Sequence, residues 1–110
     1  MTEDKQEEVY QEFKGNINMA PKEIEEWLET EESKSVGADS GDGEPKGRKS
    51  AKKIIGIRRK NKDELTDSDY EHMQKVNSYI SRHTAQKPSG NVKDSDWRYS
   101  LMNWGHDPMK

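Results

Sequence analysis

The chain of 110 residues contains no cysteine. That absence excludes disulfides, thiolate zinc sites and thiol nucleophiles. The chain is also short of material for a core. Only 27% of it is hydrophobic and 37% is charged, whereas an average domain is about 45–50% apolar with glycine included. The core must be small. Part of the chain is expected to stay unfolded, because it buries too little apolar surface to offset its ordering entropy. No apolar run approaches the length of a membrane span. The N-terminus, MTEDKQEEVYQEFKG, is acidic and lacks an apolar h-region, so no signal peptide is expected. These absences point to an intracellular protein of at most one ordinary domain, cytoplasmic or, in a eukaryote, nuclear.

What is present is charge, unevenly placed. The net charge is −3. Residues 1–45 hold 14 acids and 4 bases, residues 46–62 hold 9 bases and no acid, and residues 63–110 hold 8 acids and 6 bases. Such asymmetry fits a polyanionic partner or internal pairing of the two blocks.

The hydrophobic periodicity predicts helices throughout and no strand or internal repeat. A first helix is expected over about residues 3–14, with Val9 and Phe13 on one face and Gly15-Asn16 as its stop. A second starts at Pro21, carries Ile24, Trp27 and Leu28, and fades near Thr30. Residues 37–47, GADSGDGEPKG, read as a flexible linker rich in Gly, Asp and Ser. A basic helix is expected over about residues 48–61, with Ile54, Ile55 and Ile57 facing the core and Gly56 weakening it by up to ~1 kcal/mol. A fourth runs from Asp67 to about residue 85, capped by Thr66 with Asp69 as the carboxylate of a capping box. A fifth runs from Asp96 to about residue 104, capped by Ser95 and closed by Gly105 and Pro108. The fold expected is all-α, a small bundle of four to five helices. Acidic helices over 1–36 pack with the basic and C-terminal helices over 48–110 as one domain. Phe13, Ile24, Trp27, Leu28, Ile54, Leu65, Met73, Val76, Ile80, Trp97, Leu101 and Trp104 supply the expected core.

The run Trp97-Arg98-Tyr99-Ser100-Leu101-Met102-Asn103-Trp104-Gly105-His106-Asp107-Pro108 goes beyond what helix propensity demands. It resembles the closing signature of a small family known as domain of unknown function 3140. Glu12-Phe13, Asn18-Met19, Trp27-Leu28, Thr30, Ser33 and Ser35-Val36-Gly37 are similar too. So are Gly47-Arg48, Leu65-Thr66-Asp67, Asp69, Met73, Lys75, Val76, Arg82 and His83. The resemblance covers the chain from about residue 9 onward. It implies a "DNA-binding protein" label carried by some members, and no activity or catalytic residue. Around residues 38–53 the chain departs from the family pattern, with a Gly/Asp-rich loop and extra lysines.

The bases of the tract are Lys46, Arg48, Lys49, Lys52, Lys53, Arg58, Arg59, Lys60 and Lys62. On one continuous helix Arg48, Lys52 and Arg59 would form one row, and Lys49, Lys53 and Lys60 the next. That face suits the phosphates of DNA or RNA, with slight sequence preference. The plainer reading is a solvated face paired with the acidic N-terminal third, in a protein-interaction module with no nucleic-acid role. A nuclear-localisation patch needs only such a cluster. Clustering of the bases on one exposed face favours nucleic acid; pairing with Glu23 to Glu32 favours the structural role. A helix-turn-helix that reads bases is disfavoured, because the helix after the break has only Lys75 and Arg82 as strong cations.

The remaining chemistry is sparse. His72 and His83 are eleven residues apart, too far for one metal ion, so no metal or other cofactor is expected. His106-Asp107 after Gly105 tempts a catalytic reading, but a cap docking onto the bundle explains the pair equally well. No constellation meets the geometric requirements of catalysis, and no enzyme is expected. Trp97, Tyr99 and Trp104 could stack on bases. The helical spacing of the tryptophans makes core packing the better account, and Tyr99 falls off that stripe.

Overall fold

The computed structural model describes residues 1–36 and 46–110. Among them are six α-helices, one 3-10 turn and no strand.

Local chemistry sets most helix ends. Helix α1, Glu3–Asn16, begins where the Thr2 hydroxyl accepts from the Lys5 N–H at 3.2 Å. It runs through Gly15, one turn of chain past its most apolar stretch, and buries Val9 and Phe13. Helix α2, Pro21–Leu28, has proline at its first position, and the Glu23 carboxylate accepts from the Ala20 N–H at 3.3 Å. Thr30 then ends one helix and starts another. Its hydroxyl donates to Trp27 O at 2.7 Å and accepts from the Ser33 N–H at 3.1 Å, opening the single turn α3, Glu31–Lys34. This turn is the helix that periodicity missed.

The basic helix α4 spans Lys46–Arg58. Lys46 and Gly47 are therefore helical rather than linker; the rest of the expected linker lies outside the described residues. The helix also stops short of its expected end. After Arg58 the chain turns, and Asn61 is extended and leads the 3-10 turn at Lys62–Glu64, where Glu64 accepts the Asn61 N–H at 2.8 Å. Gly47, Ser50, Ala51, Ile54, Ile55 and Ile57 are buried. The small residues at the start of that stripe let α4 approach α6: a Cβ on Gly47 would lie 3.1 Å from Trp104 Nε1 and 3.3 Å from Asn103 Cβ.

Helix α5, Asp67–Thr84, has the reciprocal capping box expected of Thr66 and Asp69, with bonds of 3.2 and 3.0 Å. Helix α6, Asp96–Asn103, starts on the Ser95 hydroxyl. It ends in a Schellman closure: Gly105 is at φ 81°, its N–H reaches Met102 O at 3.0 Å, and the His106 N–H reaches Leu101 O at 3.1 Å.

Helix α1 packs along α5, while α2 packs on α4 and α6. The acidic and basic parts thus share one core. Phe13, Ile24, Ile54, Met73, Val76 and Leu101 are all at most 2% exposed. Trp27, Leu65 and Trp97 pack against this core half-buried rather than within it. Both indole N–H groups have acceptors: Trp27 donates to Asn103 Oδ1 and Trp97 to His83 O, both at 2.7 Å.

Candidate nucleic-acid interface

The nine bases do not form one helical face. Because α4 ends at Arg58, Arg59, Lys60 and Lys62 lie beyond it and neither expected row continues through them. These three turn back onto the protein's own acids. Arg59 pairs with Glu25 and Lys62 with Glu7, and Lys60 reaches Asp69 at 2.7 Å. The Lys62 ammonium also sits 4.9 Å from the centre of the Tyr10 ring. Its hydrogen bond lowers the Glu7 carboxyl below its ordinary range. Burial alone would raise the Asp69 carboxyl, but Lys60 and Thr66 together hold it below its ordinary value.

Arg48 is half-buried. Its Nη1 donates to Leu28 O at 2.8 Å and to the Ser33 hydroxyl at 2.9 Å. Ser33 in turn donates to Asn103 Oδ1 at 2.6 Å, and Asn103 Nδ2 donates to Ser33 O at 3.2 Å. With the bond from Trp27, this network ties α2, α3, α4 and α6 around an Asn103 that is 1% exposed. Arg58 is half-buried, and its Nε is buried without an acceptor among the described residues.

The other cations sit on α4. Lys46, Lys52 and Lys53 are exposed and Lys49 is half-buried. Lys46 and Lys53, seven residues apart, share a side of the helix. Helix α5 supplies the matching pair, Lys75 and Arg82, again seven apart. Lys53 and Lys75 line a groove of about 410 Å³ between the helices, which also contains Lys60, Asp69, Glu71 and His72. Lys46, Lys75 and Arg82 line an adjoining groove of about 340 Å³ toward α6, with no carboxylate among its described lining residues. Lys75 belongs to both. The sequence showed Lys75 and Arg82 only as too few cations for base reading; the tertiary packing sets them opposite α4.

A ladder of near-parallel rings runs under these grooves. His72 stacks on Trp104, Trp104 on Tyr79 at 4.1 Å, Tyr79 on His83, and His83 on Trp97. Burial, with Lys53 and Lys75 nearby, pushes the His72 imidazole down to about 4, so it is neutral at pH 7. Its Nε2 is 3.0 Å from the Ser50 hydroxyl. Burial also lowers His83, whose Nε2 is buried without a partner among the described residues. Tyr99 is half-buried and tilts against Trp27 at 5.6 Å.

His106 and Asp107 hold the end of α6 to the joint between α1 and α2. His106 Nδ1 is 2.7 Å from Asn16 O; a carbonyl only accepts, so Nδ1 carries the proton. The Asn18 side chain accepts the Asp107 N–H at 2.7 Å and donates to Asp107 O at 3.0 Å. The Asp107 carboxylate takes two bonds from Arg98, at 3.1 and 3.0 Å, and one from the Met109 N–H. Among the described residues no three of His, Asp or Glu are grouped to hold a metal ion, and no helix is long and apolar enough to cross a membrane.

Nearly every residue of the C-terminal signature is therefore spent on the frame. Searches of curated proteins and of solved structures found no match. A protein-family profile described as "Protein of unknown function (DUF3140)" matches residues 12–102. That span contains α2 to α5, the end of α1 and most of α6, and on it the chain belongs to the DUF3140 family.

Proposed function

We propose that this protein binds nucleic acid through phosphate contacts from the α4–α5 face, with little sequence preference. The observation that supports this most is the pairing of two cation rows: Lys46 and Lys53 on α4 stand across a groove from Lys75 and Arg82 on α5. Two rows on neighbouring helices can straddle a phosphate backbone. The label carried by some members of the resembling family points the same way. Arg48, Arg59, Lys60 and Lys62 take the lesser part in this reading, because each already holds an intramolecular contact. No reaction is assigned, since the histidine-aspartate pair at 106–107 is engaged in docking.

The experiment is a titration with random-sequence duplex and single strand at two salt concentrations. Four phosphate contacts give a slope of log K against log salt of about −3.6 on duplex. Lys53→Glu and Lys75→Glu should each weaken binding equally on every sequence, while Lys62→Glu should change it little. Absence of any shift at low salt, on duplex and single strand alike, sinks the proposal.

A second reading has its own support. Arg59 with Glu25 and Lys62 with Glu7 are the internal pairings expected if the tract only balances the acidic third of a protein-interaction module. A partner protein that co-purifies after nuclease treatment, without affinity for duplex, selects that reading.

A further inference from the structure

The groove toward α6, about 340 Å³, is of small-molecule size; such sites span roughly 300–1,000 Å³. Its charged lining residues, Lys46, Lys75 and Arg82, are all cations. Arg82 Nε donates to Ser78 O at 3.3 Å, which leaves its terminal nitrogens without a carboxylate among the described residues. One wall is aromatic, formed by Tyr79 and Trp104 stacked at 14°.

The decisive feature is an unspent donor. Trp104 is 5% exposed, yet among the described residues nothing accepts from its indole N–H. The other two indoles both have acceptors, Asn103 Oδ1 and His83 O. The buried side-chain atoms without a partner among the described residues are Arg58 Nε and His83 Nε2, so the Trp104 N–H is open to solvent rather than sealed. The Nε1 edge lies beside Gly47, where a side chain would come within 3.1 Å of it, and both residues line the groove. Glycine at 47 therefore keeps that N–H open to an occupant. Helix α4, 13 residues long, starts at the same place with no acid in its first turn. Its first N–H groups add positive potential that an anion would complement.

We infer that this groove binds a nucleoside monophosphate. Lys46, Lys75, Arg82 and the Trp104 N–H take the phosphate, and the base lies against the edge of the Tyr79 ring, whose faces are taken by Trp104 and His83. The inference goes beyond the polyanion reading and stands if duplex fails to bind, because it concerns a small ligand recognised partly by Trp104.

The whole protein is titrated with adenosine monophosphate, adenosine and inorganic phosphate, by calorimetry and by tryptophan fluorescence. The monophosphate should saturate the site and bind tighter than either fragment. Arg82→Met and Lys75→Met, both at exposed positions, should each weaken it by about tenfold or more, the loss of one charge-assisted contact. Trp104→Phe, which keeps the ring and removes the donor, should weaken the monophosphate and leave duplex affinity unchanged. Lys53→Glu should do the reverse. Lys22→Met on α2 is the neutral control. No saturation into the millimolar range, adenosine binding as tightly as its phosphate, or undiminished affinity in a folded Arg82→Met protein would each overturn the inference.

Discussion

Arg48→Met separates the fold from the interface. Arg48 lies within the basic tract, and a sequence argument gives it to phosphate. In the structure its Nη1 holds Leu28 O at 2.8 Å and the Ser33 hydroxyl at 2.9 Å. Methionine keeps much of the apolar stem and removes the charge and both bonds. Hydrogen bonds from a charged donor contribute about 1.5–3 kcal/mol each. Water can reach a half-buried guanidinium's partners, so the two bonds together are discounted to about 2 kcal/mol. Ser33 is fully buried and also serves Asn103, so part of that loss falls on a group that water cannot rescue. For a urea m-value of about 2 kcal/mol/M, the midpoint should fall by about 1 M. The thermal midpoint should fall by about 8–16 °C. Urea unfolding followed by tryptophan fluorescence measures the first, and the salt dependence of duplex binding measures the second role. If Arg48 serves the frame, the midpoint drops and the salt slope of the folded variant is unchanged. An unchanged midpoint together with a slope reduced by about 0.9, one phosphate contact, would refute the assignment.

Two further outcomes follow from the geometry. Gly105→Ala should destabilise by about 2 kcal/mol in the same urea assay, because φ is 81° and the new methyl would lie 3.0 Å from Ile17 Cδ1. Gly15→Ala, inside α1 and facing open space, should stabilise by about 0.5–1 kcal/mol; equal effects at the two sites would contradict this. His72 gives a pH signature. Its folded value, about 4, lies below the ordinary 6.5, so the unfolded chain binds the proton first. The contribution is present in full above pH 6.5, falls away as pH drops toward 4, and is constant below that. His72→Gln should flatten this part of the stability profile, and a His72 NMR titration midpoint near 6.5 would show the burial argument wrong.

Helix ends were legible where a side chain caps its own backbone. Thr66 with Asp69, Ser95 and Gly105 act within a few residues, and the sequence carries that information locally. Thr30 was a cap of the same kind, overlooked because α3 is a single turn with no apolar stripe of its own. Gly47 was misread for a physical reason. Glycine reads as a breaker along the chain, but here its missing side chain admits Trp104 from a different helix. The far end of α4 was read too long because Arg59 and Lys60 tolerate a helix, while Asn61 and Glu64 form the next turn instead. The partners of Asn77 and Asn103 lay beyond periodicity altogether. Asn77 bridges Val9 O and the Asn16 side chain, partners more than sixty residues away. The candidate site shared that fate: its α4 lysines were visible in sequence, and their counterparts on α5 became so only through packing.

The clasp between residues 16–18 and 105–107 has a consequence for the order of synthesis. Asn18 cannot meet Asp107 until 89 more residues have been made. At about 5–20 residues per second that is roughly 5–20 s of translation. Through all of it Ile17 has no Gly105 to close over it, and Asn16 O has no imidazole. The joint between the first two helices is therefore a late seam to close, and a nascent chain that has not yet exposed Asp107 carries it open. Protease cleavage near Asn18, strong in chains stalled before Asp107 has emerged and lost once it has, would track that seam directly.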